Sequence, residues 1–178
     1  MSKLGSAPVP GPSPADHCRG PADAPLVIVY ADFECPFCAT LHQRLSDVRV
    51  RVMFRHFPVR SSHPRAWAAA CAAEAAARQG HFWEMHDRLF ADQARLADPH
   101  LWQRAEALGI DLERFDADRR DTAILARVKQ DFQSGVRAGV VTTPAAFAWR
   151  DGRAQRIDFR TLAGLDLGSA TEPSSPSP

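Results

Sequence analysis

Cys35 and Cys38, two cysteines separated by Pro36 and Phe37, are the residues best placed to do chemistry. A pair this close can exchange electrons with a disulfide or supply two ligands to a metal. Exchange needs a thiolate, and an unperturbed cysteine with a pKa near 8.5 is only about 3% ionised at pH 7. Pro36 suits the first position of a helix, where its missing N–H costs nothing. If Cys35 caps that helix, the unpaired N–H groups and the helix dipole face its sulfur and favour the anion. Cys38 then falls in the first turn, nearly beneath Cys35, where it can attack a mixed disulfide and release a substrate. Spacing alone leaves redox chemistry, metal ligation and two buried small side chains open. A short apolar run before the pair, and Thr143 with Pro144 ahead of a late strand, favour the redox reading.

Other candidates carry weaker signals. His81 and His86 have an acceptable spacing for zinc ligands, but the long gap from Cys38 to His81 does not fit a zinc finger, so no metal is expected. Cys18 could resolve Cys35 from a flexible arm, although an incidental thiol is the simpler reading. Cys71 sits among alanines, where a small thiol packs like its neighbours. Asp32 and Glu34 could tune Cys35, or equally be solvated loop residues. His63 and the group Phe82, Trp83, Met85, His86, Leu89 and Phe90 read as helix packing.

The elements that must position the pair follow from pattern. Residues 26–30 form a short apolar, β-branched run that reads as a buried strand, and helix 36–45 follows the first cysteine. Residues 48–57 alternate and stop at Pro58, which gives a second strand. Helical stretches are predicted over 65–79, 82–90, 101–108 and 112–118, and a longer one starts at Asp121 and fades near Gly135 or Gly139. Residues 145–149 and 154–157 read as a hairpin turning at Asp151 and Gly152. Residues 159–165 suit a short closing helix. The order implies an α/β domain with a mixed central sheet and a helical insertion over about 62–138. Residues 1–15 and 168–178, rich in Pro, Ser, Gly and Ala, are expected to be disordered around a folded unit of about 16–167.

Composition narrows the function. The chain has 178 residues, enough for one core, and its 22 Lys and Arg nearly balance 21 Asp and Glu. No basic block advertises nucleic acid, and no apolar stretch approaches the roughly 20 residues of a membrane span. The first residues lack the apolar run of a secretory signal, so the expected compartment is the cytoplasm, unless the true start lies upstream.

The residues resemble a known group, the DsbA-like thioredoxin-fold thiol:disulfide oxidoreductases, including thioredoxin-like domains attached to some sodium/proton antiporters. The likeness runs from Asp16, His17, Gly20, Pro21, Ala22, Asp23, Ala24 and Pro25 through Asp32, Phe33, Glu34, Cys35, Pro36, Phe37 and Cys38. It continues with Arg55, His56, Phe57, Pro58, His63 and Pro64, then with Gln79, Gly80, His81, Phe82, Trp83, Glu84, Met85, His86 and Asp87. It closes on Gly139, Val140, Thr142, Thr143 and Pro144. The resemblance implies a thioredoxin fold, Cys35 as nucleophile, Cys38 as resolving thiol, and Pro144 in a cis peptide. It also implies that Pro36, Phe37, Thr143 and Pro144 bind substrate, with Thr143 pairing to an extended chain. No cofactor is implied.

Three departures qualify the likeness. Many relatives carry a buried Glu where this chain has Val29, strong oxidants carry a His where it has Phe37, and bulkier residues stand in place of Ala145, Ala146 and Phe147. The expected activity is thiol:disulfide exchange on protein or small-thiol disulfides. The alternative is a redox-sensing or peptide-binding module with little turnover. A glutathione transferase is disfavoured because it has no use for Cys38. Oligomeric state is not legible.

Overall fold

The computed structural model describes residues 6–162 and Leu165. Five strands form one sheet in the order β1-β3-β2-β4-β5. They are β1 His17–Arg19, β2 Leu26–Ala31, β3 Arg51–His56, β4 Ala145–Arg150 and β5 Arg153–Ile157. The β2 and β3 strands run parallel, and β1, β4 and β5 pair antiparallel to their neighbours. The parallel pair is joined by α1, Pro36–Ser46. Between β3 and β4 lie α2 Ala66–Ala77, α3 Phe82–Ala91, α4 Asp98–Ala107, α5 Leu112–Asp118 and α6 Thr122–Arg137. This is the mixed sheet with a helical insertion that the strand and helix patterns predict.

The central strand shows why the fold forms. Along β2, side chains alternate between faces. Val27, Val29 and Ala31 join the core beneath the helices, while Ile28 and Tyr30 join a second core on the other side. Covering both faces turns the strand into an unbroken apolar run. The α2 helix is nearly all alanine, which lets α3, α4, α5 and α6 pack closely around it. Asp111 and Asp121 cap α5 and α6 by accepting from Arg114 N and Ala123 N. The β4 and β5 strands turn at Asp151 and Gly152, both at positive φ (50° and 73°), as a tight hairpin of this kind demands.

The structure departs from the sequence reading in several places. Strand β1 was not expected, since three residues, His17, Cys18 and Arg19, are too few to show alternation. Of the two stops that the sequence offers, the α6 helix passes Gly135 and ends at Arg137, with Gly139 at positive φ (79°) just beyond its cap. A Cβ at Gly135 would approach Phe57 Cδ2 to 2.7 Å and Tyr30 Cδ1 to 3.0 Å, so this glycine lets the helix press onto the sheet. Residues 159–162 form turns rather than the start of a helix. The expected disordered tail, residues 168–178, lies outside the described residues.

The N-terminal segment needs the largest correction. Residues 6–15, expected to be disordered, lie along the second face of the sheet. Val9 is buried there, Ala7 N donates to Arg137 O, and Gly11 packs against Trp149. Its anchor is Arg55 on β3, which composition could not reveal. This buried guanidinium donates to Pro10 O at 2.7 Å and Gly11 O at 2.8 Å, and it pairs with buried Asp16 at 2.9 Å. Removing one partner of a buried ion pair leaves an uncompensated charge. Asp16→Ala is therefore expected to destabilise the protein by on the order of 3 kcal/mol. Urea denaturation checks this, and a change under 0.5 kcal/mol, roughly the level of an ordinary surface substitution, defeats it.

Candidate active site

After Ala31 the chain turns through Asp32, Phe33 and Glu34, and Cys35 caps α1 in an extended conformation (φ −80°, ψ 120°) with Pro36 behind it. No side chain bonds the helix cap, so the first N–H groups are left facing the Cys35 sulfur. The turn itself is built on Asp32, whose side chain is fully enclosed. One carboxyl oxygen accepts from Glu34 N at 2.8 Å, and the other accepts from Val59 N at 2.8 Å and meets His63 Nδ1 at 2.8 Å. The N–H of Asp32 points at Cys38 Sγ, 3.4 Å away. From the far side, Gln93 Nε2 donates to Phe33 O at 2.9 Å and to Cys35 O at 2.8 Å.

The two thiols sit in opposite electrostatic settings. The hydrogen bond from Cys38 lowers the Cys35 pKa most. Burial opposes it, while the Thr143 side chain and the backbone N–H groups of Cys38 and Phe37 add to the lowering, which brings the value to about 6. Cys38, only 1% exposed, is held well above the ordinary thiol range by burial first, then by its hydrogen bond to Cys35 and the charge on that sulfur. One thiol is thus mostly ionised at neutral pH and its neighbour is protonated.

The structure brings together stretches far apart in sequence. Thr143 O lies 3.5 Å from Cys35 Sγ, across 108 positions, and the Thr143–Pro144 peptide is cis. Phe37 and Val141 leave apolar surface exposed, at 54% and 82%. Phe37 also meets the Phe159 ring edge-on at 6.1 Å. Ala145, Ala146 and Phe147 are buried in β4, so they shape the sheet rather than a groove. Val29 faces the helices and lines a cavity of about 550 Å³ that reaches Cys38 and is lined as well by Arg19, His42, His86 and Asp87.

The remaining cysteines stand apart. Cys18 is on β1 and packs against the second-face core, whereas Cys35 and Cys38 belong to the first, so it is not on a flexible arm. Cys71 is buried in α2, and burial pushes its thiol up to about 11. Asp32 and His63 correct the sequence reading. Asp32 is buried rather than solvated, and His63 lies before α2, bound to that carboxyl rather than packed within a helix. Gln93 was missed because a lone glutamine in a loop has no periodicity or motif to mark it.

The sequence profile described as Thioredoxin matches residues 12–162. This chain belongs to the thioredoxin family. It is 43% identical over 145 residues to the Na(+)/H(+) antiporter NhaA 3 of Salinispora tropica, an alignment covering 78% of this chain and 22% of that protein. It is 42% identical over 159 residues to the Na(+)/H(+) antiporter NhaA of Herminiimonas arsenicoxydans, covering 84% of this chain and 25% of the relative. The chain spans about a quarter or less of the curated relatives it matches. Among solved structures, BdbD of Bacillus subtilis superposes with a TM-score of 0.71 at 18% identity, over 87% of this chain and 91% of that one. DsbA2 of Pseudomonas aeruginosa gives 0.65 at 26% identity, over 82% and 87%. The fold is the DsbA-like thioredoxin fold, and at family level the likeness is to thiol:disulfide oxidoreductases.

For the reduced protein, thiolate absorbance near 240 nm is expected to rise with a midpoint at about pH 6. The rise should vanish in Cys35→Ser and persist in Cys71→Ser. Because the folded pKa lies below the unfolded one, the stability that the Cys35 thiolate contributes is complete above roughly pH 8.5 and is lost as pH falls through about 6. A midpoint above 8 contradicts the assignment.

Proposed function

We propose that this domain catalyses thiol:disulfide exchange, with Cys35 attacking and Cys38 resolving. The observation that carries the reading is the placement of Cys35 at the N-terminus of α1, 3.5 Å from Thr143 O, with Cys38 in the first turn behind it; the lowered pKa of Cys35 and the raised pKa of Cys38 accord with that placement. In the reducing direction, the Cys35 thiolate attacks one sulfur of a substrate disulfide, forming a mixed disulfide and expelling the other sulfur as thiolate. Cys38 then loses its proton and attacks the Cys35 sulfur. A Cys35–Cys38 disulfide forms and the bound half of the substrate leaves as a second thiolate. Two electrons pass from the cysteine pair to the substrate, and the reverse sequence oxidises a dithiol.

Substrate recognition rests on the surface around Cys35. Phe37 and Val141 offer apolar contact, Pro36 and Pro144 flank the sulfur, and the backbone of Thr143 offers pairing to an extended chain. Protein or small-thiol disulfides are the substrate class. In a cytoplasmic setting the glutathione pool favours the reducing direction.

A second reading is favoured by the antiporter relatives, in which a region like this one makes up about a quarter or less of the chain. There the cysteine pair would report redox state to an attached partner and turn over little. Val29, apolar beside Cys38, supplies no acid or base to speed resolution.

Turnover of a disulfide substrate decides between them. The wild type is expected to cycle, Cys35→Ser to be inert, and Cys38→Ser to accumulate a mixed disulfide seen by mass spectrometry. A pair that oxidises once without cycling supports the sensor instead. Phe37→His places a group able to carry positive charge next to the thiolate, and is expected to lower the Cys35 pKa by about one unit and raise the potential by about 30 mV. Equilibration in glutathione buffers reads the potential, and an unchanged value removes Phe37 from the site.

A further inference from the structure

The exchange proposed above assigns no role to one side-chain cluster in the cavity that reaches Cys38. His42 lies on α1 one turn beyond Cys38, and His86 and Asp87 are consecutive on α3. One potential ligand atom from each falls within 4.8 Å of the others. Asp87 Oδ1 is 2.8 Å from His86 Nδ1 and 3.6 Å from His42 Nε2. A tetrahedral ion with bonds of about 2.1 Å holds its ligand atoms roughly 3.4 Å apart, so 2.8 and 3.6 Å fall on either side of that spacing, and the third pair, within 4.8 Å, adjusts on binding. We propose that His42, His86 and Asp87 form a binding site for a divalent transition-metal ion of zinc-like ligand preference.

The donor set argues for the class of ion. Two imidazoles and one carboxylate suit zinc and its neighbours, whereas calcium and magnesium take oxygen ligands throughout. Three protein ligands leave a coordination position open. All three line the cavity of about 550 Å³ whose wall also includes Cys38. The histidine rings are held by aromatic neighbours. His42 stacks on Phe90 with centroids 5.2 Å apart, and His86 meets Phe54 edge-on at 4.8 Å. Such packing fixes the rings while excluding water from one side.

Arg19 is the opposing influence. Its guanidinium donates to Asp87 Oδ2 at 2.6 Å and lies over the Trp83 ring at 4.5 Å. It leaves Oδ1 turned to the histidines, but its charge repels a dication placed there. The site therefore contains a residue whose removal should strengthen binding, which a set of ordinary hydrogen bonds between α1 and α3 would not predict.

The test titrates Zn²⁺ into the full chain carrying Cys35→Ser and Cys38→Ser, so that the cysteine pair cannot compete as ligands and the outcome is independent of exchange activity. Isothermal titration calorimetry is expected to give one Zn²⁺ per chain, with no heat from Ca²⁺. In that background His42→Ala and Asp87→Asn should each weaken binding by about tenfold or more, and Arg19→Ala should tighten it. Absence of Zn²⁺ binding, or binding that His42→Ala and Asp87→Asn leave intact, overturns the site. If those two variants fail to fold by circular dichroism, NMR of the histidine imidazole nitrogens in the Cys35→Ser, Cys38→Ser background decides: Zn²⁺ is expected to shift the His42 and His86 signals, and shifts confined to other histidines overturn the proposal.

Discussion

A carboxyl group closed off from water must find hydrogen-bond donors or leave the fold unstable, and Asp32 finds three. Glu34 N, Val59 N and His63 Nδ1 converge on it from the turn itself and from the loop after β3. This ties the end of β2 to the start of the insertion and sets where Cys35 meets the helix. The same residue's N–H then reaches the Cys38 sulfur, so one side chain fixes the turn while its backbone addresses the buried thiol. Gln93 holds the carbonyls of Phe33 and Cys35 from the opposite side. The low pKa of Cys35 depends on this framework, because donors stabilise a thiolate only where they are held in place before charge appears.

The sheet extends the same logic outward. Its first face gathers the cysteine pair, α1 and the insertion, and its second face is closed by the N-terminal segment and the end of α6. Arg55 and Asp16 pin that segment by satisfying each other and two backbone carbonyls together. Each charged group that enters the interior here brings its partners with it, as burial requires.

Much of this was legible in the sequence where the signal is periodic or local. The apolar run of β2, the Pro36 helix start, the alanine helix α2 and the Asp151-Gly152 hairpin each declare themselves within a few residues. The order of the elements follows from them. What stayed hidden depends on contacts across the chain. Gln93 acts at 58 positions' remove from Cys35, and the segment around Pro10 is ordered by an arginine 45 residues later. His63 reads as helix packing until Asp32 is placed beside it. Strand β1 is too short and too polar to carry alternation, and it forms only because β3 offers it an edge.

The burial of Cys38 also bears on how the pair meets peroxides. Oxidation of Cys35 yields a sulfenic acid, which can go on to irreversible sulfinic and sulfonic forms unless a thiol condenses with it first. Cys38 lies next to that sulfur, buried and held protonated, so the partner most able to quench the sulfenic acid is itself a poor nucleophile toward oxidant. The geometry that would let one cysteine resolve the other in the proposed exchange would thus also keep the pair on the reversible rungs of its oxidation chemistry.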